Sequence, residues 1–579
     1  MFNKFPGWAV KVGIVMLFTL GLFRYYSHTE PYAAGDGIEY ILTTEAWYNH
    51  RTPDIRVSDF NSFKRDFVAH QSWASNYKAA AFDEVECFLK EAQSKTSVRR
   101  DFGGFYQNHK ADVYGYHFVF YSLLNVPARG ATDLFNVHPI QAFKYTNLAC
   151  WTLLLILVLF LPTKNVLDEV LVFLSAFLSA AFYYNTWTHP ELITVVLLMY
   201  SFMFLKHERN HLAILFCALA TLQNQPLLFL LLWMYMFIWS KNQFAIKSII
   251  PYLLYGLITF IPPLYFNMLF GTTSLINYAG FLAAENISVT RIIGFYVDLN
   301  QGMILSVGLF LLLYMVLLVH RWIIMIRNRK AEFWDLMPVV ILLMTILVSS
   351  MSNWNHGMAI VNRYAVWIGV PLLFHVFHLM QDFSIRVQLP LVVSALISQV
   401  LLLMVHLPFN QFDWSNLQHM PIAKWVLDHH PAWYNPDPQI FISRTNRVFD
   451  FTKNSSPIVY CNHENKIVKI AVHLENIDTL SVFGYKKNCI SSYPVVKSGN
   501  EPWIYLNDVD KASTKSSNEL LKLIKESEEE RIVREIRSNP YWMEEITRKA
   551  ARNNIDIEEQ LIRDAKYLNN EAHRLNERH

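Results

Sequence analysis

The stretch HLAILFCALATLQNQPLLFLLLWMYMFIWS, His211 to Ser240, decides how the rest of the chain is threaded. It is apolar along most of its length and is interrupted by Gln223-Asn224-Gln225-Pro226. Read as one long kinked helix, it crosses a membrane once. Read as two short helices, it crosses twice, and every later segment changes side. Basic residues decide between the two, because short cytoplasmic loops are enriched in Lys and Arg. With two helices, Lys164, Lys206, Arg209, Lys241, Lys247, Arg321, Arg327, Arg329, Lys330 and Arg386 all face the cytoplasm. With one, the basic cluster Arg321–Lys330 faces outward. The two-helix reading follows.

Outward from this stretch, the chain keeps the same character. Hydrophobic residues make up 53% of the 579 and charged residues only 17%, too little charge for a soluble protein of this length. The apolar residues fall in blocks near 8–26, 142–162, 166–184, 191–205, 211–222, 226–240, 247–270, 302–320, 336–351, 364–380 and 388–407. Such blocks read as spanning helices, because lipid offers a backbone no hydrogen-bond partner. The first is read as a span and not as a cleaved secretory signal, since its cleavage site is poor and many spans follow. The expected fold is mainly α: a polytopic transmembrane bundle of about eleven spans over residues 1–409, with its N-terminus cytoplasmic. The large polar segments 27–141, 271–301, 352–363 and 408–579 then lie on the outer side.

Residues 410–579 read as a small extracytoplasmic mixed α/β domain. Short β-like runs at Ile458–Cys461, Lys466–His473 and Thr479–Phe483 precede a charge-dense helical tail over 516–579, broken near Asn539-Pro540. Of the five cysteines, Cys150 and Cys217 sit in apolar runs as packing residues, whereas Cys461 and Cys489 are expected to pair if their region is oxidising. There is no GxxxxGK[ST] loop for ATP, no basic tract for nucleic acid, no HExxH and no dense His/Cys cluster for zinc.

Chemistry-bearing residues gather in the outer segments. Asp36-Gly37-Ile38-Glu39-Tyr40 follows the first span closely, with Gly35 and Gly37 leaving room for a ligand beside Asp36. The competing role for Asp36 is to cap a helix that begins there. Glu39 then lies one turn on, on the same side. In Tyr106–Phe118, Lys110 and His117 are candidates to meet a phosphate at the membrane face, against a plain anchoring role. Three further turns repeat the theme: Thr188-His189-Pro190-Glu191, then Asp298-Leu299-Asn300-Gln301-Gly302, then Asn353–Gly357 with His356, leading to Asn362-Arg363-Tyr364.

The order of these motifs resembles the GT-C superfamily of glycosyltransferases. The likeness rests on the GD-x-x-Y motif after the first span (Gly35-Asp36…Tyr40 with Glu39 between), the YGYHF segment Tyr114–Phe118, the D-x-N-x-G turn Asp298–Gly302 and the N-R-Y of Asn362–Tyr364. It covers roughly residues 1–410 and is nearest to the bacterial protein-mannosyltransferase-like and lipid-A-aminoarabinose-transferase-like branch. It implies a polyprenyl-phosphate-linked sugar donor and transfer on the outer face of a bacterial inner membrane, to a glycan, lipid or protein acceptor. It gives Asp36 the role of catalytic base or electrostatic partner, with Glu39 second. Tyr40, Lys110, His117, His189, Glu191, Asp298, Asn300, His356 and Arg363 become candidate substrate contacts, with Arg363 and Lys110 meeting the leaving phosphate. Many relatives carry a clear acidic pair in the second outer loop. Here that loop holds only Glu191, so no certain cofactor is implied and dependence on a divalent metal stays open.

Two other classes compete. A transporter or flippase predicts internal repeats and mid-membrane charges; no convincing repeat is found, and ionisable residues are scarce within the spans. A non-catalytic envelope scaffold, its tail recruiting partners, predicts tolerance of substitutions at the loop acids.

Overall fold

The structure is a computed structural model. It describes residues 7–29, 36–69, 79–94, 101–161, 166–354, 361–407, 417–446, 457–464, 466–477, 495–498, 501–507, 532–533, 536–537, 540–553 and 555–577. The described chain is mainly helical, and it divides into two compact units.

The first unit takes in Met1–Lys424, Pro436–Asp450 and Lys497–Asn500. Each of the eleven apolar blocks contributes helix. Yet only five helices among the described residues are long and apolar enough to cross a membrane: Trp8–His28, Gln141–Phe160, Ile246–Phe270, Leu309–Asn328 and Ile385–His406. A sixth arises if Val166–Phe177 and Ala180–Thr186, bent by 61°, form one broken span. A count of eleven therefore does not follow from helix length. Asn210–Gln223 has 14 residues; at about 1.5 Å per residue it reaches only about 21 Å, short of the roughly 30 Å of a hydrocarbon core.

The break in the 211–240 stretch is real. Pro226 has no N–H to bond back into the preceding turn, and Asn224 is extended (φ −126°, ψ 90°). A short 3₁₀ turn, Gln225–Leu227, leads into the helix Leu228–Lys241. A proline pair shapes Ile246–Phe270. Pro262 and Pro263 lack the N–H groups that would bond back into the preceding turn, and residues Leu257–Phe260 there tighten to 3₁₀ geometry.

The segment after the first long apolar helix packs on a core of its own, including Tyr40, Leu42, Phe60, Phe63, Phe88, Phe105, Tyr121 and Phe143. Its helix Gly37–His50 lies against Phe120–Leu134. A buried ion pair joins them: Arg129 Nη2 donates to Glu45 Oε2 at 3.1 Å. Three short antiparallel strands, Asp101–Phe102, Phe105–Gln107 and Val113–Gly115, pair Tyr106 with Tyr114 and Phe105 with Gly115. The turn Gly103-Gly104 takes positive φ at both residues (52° and 98°), which glycine adopts without a Cβ penalty. Lys144, buried on the Gln141–Phe160 helix, donates to the carbonyls of Tyr26 and Thr29. It thereby satisfies the open C-terminus of the first span, just ahead of Asp36.

The second unit takes in Trp425–Asn435, Phe451–Val496 and Glu501–His579. The strand Ile458–Cys461 pairs antiparallel with Ile467–His473, which pairs antiparallel with Glu501–Leu506. Two of the three expected β runs are thus strands, and the third, 479–483, lies outside the described residues. Lys469 is buried on this sheet and donates to Pro431 O and Asn435 Oδ1, both at 2.6 Å, and to Asn507 Oδ1. Burial brings its amine down to about 7. Cys461 has no disulfide partner among the described residues, and Cys489, with which it is expected to pair, lies outside them. Of the helical tail, Pro540–Asn553 and Ile557–Glu577 are helices, packed through Ile546, Leu561 and Ala565. A helix beginning at Pro540 uses the proline where its missing N–H costs nothing.

Candidate functional site

Asp36 is the residue before the Gly37–His50 helix, so it occupies the capping position. Its side chain makes no capping hydrogen bond. It turns instead into a cavity of about 590 Å³ at the ends of several helices. Three other segments deliver side chains to the same carboxylate. Tyr116, after the strand Val113–Gly115, donates its hydroxyl to Asp36 Oδ1 at 2.8 Å. Arg363, the first residue of the helix Arg363–Leu379, donates Nη1 to Asp36 Oδ2 at 3.0 Å. His189, in the turn before the helix Glu191–Lys206, brings Nε2 to 3.3 Å from Oδ2 and 3.1 Å from Arg363 Nη1.

Two histidine–carboxylate pairs flank Asp36. His189 Nδ1 bonds Glu191 Oε2, and its ring stacks on Trp187 with centroids 4.4 Å apart. His117 Nδ1 lies 2.9 Å from Glu39 Oε2, and the His117 backbone N–H donates to Glu39 Oε1 at 2.7 Å. Glu39 therefore holds both the ring and the main chain of His117. Its place depends on Gly115, where a Cβ would come within 2.3 Å of Glu39 Oε1. His117 Nε2 is 3.7 Å from Asp36 Oδ2. Tyr40 fills the space between the imidazoles, its ring centroid 5.2 Å from His117 and 5.3 Å from His189.

These neighbours set the charges. Burial alone would raise the Asp36 carboxyl, but His117, the hydrogen bond from His189, and Arg363 hold it well below the usual carboxylate range. Burial raises the Glu39 carboxyl, with the Asp36 charge adding to the rise and His117 opposing it. Burial works against a charged His189, yet Glu191 and Asp36 together raise it above an ordinary imidazole. Opposite charges within hydrogen-bond reach favour the ionised forms, and desolvation opposes them.

A carboxylate behind each of two converging imidazoles is also how metal-binding histidines are oriented. The residues do not fit a metal here, because Arg363 Nη1 already lies within bonding distance of both Asp36 and His189. Among the described residues, no three His, Cys, Asp or Glu side chains are set to hold a metal ion. The positive charge beside Asp36 comes from the guanidinium.

Of the residues singled out from sequence, Asp36, Glu39, Tyr40, His117, His189, Glu191 and Arg363 come together. Lys110 does not. It is exposed on the turn organised by Asn108, whose Oδ1 accepts from the Lys110 and Asp112 backbones, and it lines a separate depression with Asp54 and Arg56. Asp298 and Asn300 are also absent from the cavity wall. Asp298 Oδ1 accepts from the Asn300 and Gln301 backbones at 2.8 and 2.9 Å, and Asn300 Oδ1 accepts from Met420 N. Their turn braces the helix that carries Arg363, since Asn362 N donates to Gln301 O at 2.8 Å. His356 and Gly35 lie outside the described residues.

Sequence reasoning passed over Tyr116, Gln223 and Asn224, all of which line the cavity. Tyr116 stood inside a quoted motif, but nothing in the pattern set it apart from its neighbouring tyrosines. Gln223 and Asn224 belong to the break that decided the threading. There Asn224 donates to Thr194 Oγ1 at 2.8 Å and Gln223 to the Tyr40 hydroxyl at 3.3 Å. Unpaired amides at a helix break are the signal that could have found them. Comparisons with family models, with curated proteins and with solved structures find no match to this chain.

Proposed function

We propose that the chain is a membrane glycosyltransferase that moves a sugar from a polyprenyl-phosphate-linked donor to a cell-envelope acceptor on the outer face of a bacterial inner membrane. The observation that carries this reading is the convergence, in one cavity, of residues from three of the four GT-C-like motifs, Asp36 and Tyr40, Tyr116 and His117, and Arg363 and Tyr364. Four segments far apart in sequence bring Asp36, His117, His189 and Arg363 within hydrogen-bond or ion-pair reach. The cavity is large enough for a sugar and a phosphate group.

The parts fit the chemistry of a single displacement at the anomeric carbon. A guanidinium fork suits phosphate oxygens, so Arg363 is the group to meet the leaving lipid phosphate. Asp36 aligns Arg363 and His189 and supplies the fixed negative charge that favours an oxocarbenium-like sugar. Its low basicity supports the electrostatic role over that of proton acceptor. The aromatic wall of Tyr40, Tyr106, Tyr116 and Phe281 offers flat surfaces to a sugar ring.

The test uses purified protein in detergent with decaprenyl phosphate, free and carrying a panel of radiolabelled hexoses. Binding of the free lipid phosphate, and its weakening in both Arg363→Lys and Arg363→Gln, is expected. Unchanged binding and turnover in both variants would remove Arg363 from the site. Absence of binding to the wild-type protein would withdraw the reading.

A further inference from the structure

The proton that the acceptor hydroxyl must lose needs a base, and Asp36 is poorly suited to take it. Tyr116 occupies one of its oxygens; Arg363 and His189 occupy the other. His189 is equally committed, with Nδ1 on Glu191 and Nε2 between Asp36 and Arg363. His117 differs. Its Nδ1 and its backbone N–H both point at Glu39, while its Nε2 has its nearest described partner, Asp36, at 3.7 Å, beyond hydrogen-bond length. His117 lines the cavity, with 11% of its side chain exposed.

We propose that His117 is the catalytic base of the transfer, with Glu39 as its positioning residue. An ionised carboxylate only accepts hydrogen bonds, so Nδ1 carries a hydrogen, and in the neutral ring that acts as base Nε2 then carries the lone pair. This is the orienter–base arrangement of a carboxylate, an imidazole and a hydroxyl nucleophile, here on a membrane protein. The acceptor O–H loses its proton to His117 Nε2 as its oxygen bonds to the anomeric carbon. The bond from that carbon to the phosphate oxygen breaks, and the lipid phosphate leaves with the electron pair. His117 then returns the proton to water. Gly115 is part of the device, because a Cβ there would push Glu39 from under the ring. Titratable and charged groups face His117 from several elements: Glu39 and Tyr40 on the Gly37–His50 helix, Asp36 before it, Tyr116 beside it, and His189 and Arg363 across Asp36.

The inference rests on the glycosyl-transfer reading of the same cavity, and the experiment separates the two. Wild-type protein, His117→Gln and His117→Gly are given decaprenyl-phosphate hexoses with water as acceptor, and binding of sugar-free decaprenyl phosphate is measured alongside. Wild-type affinity for the lipid phosphate is expected in both variants, with sugar release lowered at least about 100-fold. Added imidazole is expected to raise release in His117→Gly and to leave His117→Gln unchanged. A His117→Gln protein that keeps more than about a tenth of wild-type release, well short of the loss of a base, overturns the assignment. So does failure of imidazole to raise release in His117→Gly. Diethyl pyrocarbonate, with modified histidines mapped by mass spectrometry, gives a readout that needs no sugar donor. His117 is expected to react well ahead of His189 and to be protected by decaprenyl phosphate. Faster modification of His189 overturns the assignment even if the hexose panel yields no turnover. Failure of the wild-type protein to bind decaprenyl phosphate removes the underlying reading, and the role of His117 with it.

Discussion

Replacing Asp36 by Asn tests the centre of the site, because two accounts of the residue differ in magnitude. If Asp36 only caps the Gly37–His50 helix, Asn preserves that role and stability changes by less than the roughly 1 kcal/mol that a lost cap costs. The structure shows a different attachment. The carboxylate is 20% exposed, 3.0 Å from Arg363 Nη1, and shared with His189 and Tyr116. At an effective dielectric of about 20, a pair at that distance attracts with roughly 5.5 kcal/mol before desolvation is counted. Removing one partner of a buried pair costs about 3–5 kcal/mol, because the other charge is left behind. Glu191, 4.0 Å from Arg363 Nε, compensates in part and points to the lower end of that range. Asn also presents an NH₂ group to Arg363 or to the Tyr116 hydroxyl, so one of those donors loses its acceptor. Equilibrium unfolding in mixed micelles reads the first effect; sugar release from decaprenyl-phosphate hexoses reads the second. A stability loss near 3 kcal/mol and a rate loss of at least about 100-fold are expected. A variant as stable as wild type refutes the ion-pair argument. One that keeps more than a tenth of wild-type release, against that expected loss, refutes the role of Asp36 in transfer.

The pH dependence of folding follows from the same contacts. The Asp36 carboxyl is lowered in the folded protein, so its contribution is full above the ordinary carboxylate range and is lost as pH falls through its folded value; unfolding measured on acidification should show this loss, and Asp36→Asn should lack it. His189 is raised, so its contribution is full below the unfolded imidazole value of about 6.5 and is lost as pH rises through the folded value; His189→Gln should flatten that limb of the unfolding curve. Gly115→Ala places a methyl group against Glu39 and should cost about 1–3 kcal/mol of overpacking in the same unfolding assay, with loss of His117 modification by diethyl pyrocarbonate if Glu39 is displaced. A reporter fused at Lys330 should be active only inside the cell and one fused after His579 only outside; the opposite result at either point overturns the two-helix threading of 211–240.

Much of the helical framework is legible in the sequence, because membrane helices satisfy their backbones locally and declare themselves as apolar blocks. All eleven blocks contribute helix, and the break at Gln223–Pro226 falls beside a proline that has no N–H to continue the helix. The number that cross is less legible, since a block of 14 residues reads as apolar whether or not it is long enough. The motifs around Asp36, His117, His189 and Arg363 were visible as polar residues at segment ends. Their partnership was not. Whether Asp36 caps a helix or faces a cavity turns on one side-chain rotation, and both roles use the same residue at the same position. Lys110 and Asp298 show the reverse case. Each looked like a ligand in sequence, but Lys110 is carried away on the Asn108 turn and Asp298 is spent on holding the 298–302 turn. Composition and local pattern thus determined that the chain is helical and apolar and where its polar ends lie. Only the tertiary structure decided that Glu39 reaches His117, that His189 reaches Asp36, and that Arg363 lies beside Asp36, because contacts between residues 78 to 327 positions apart depend on packing that no local pattern records.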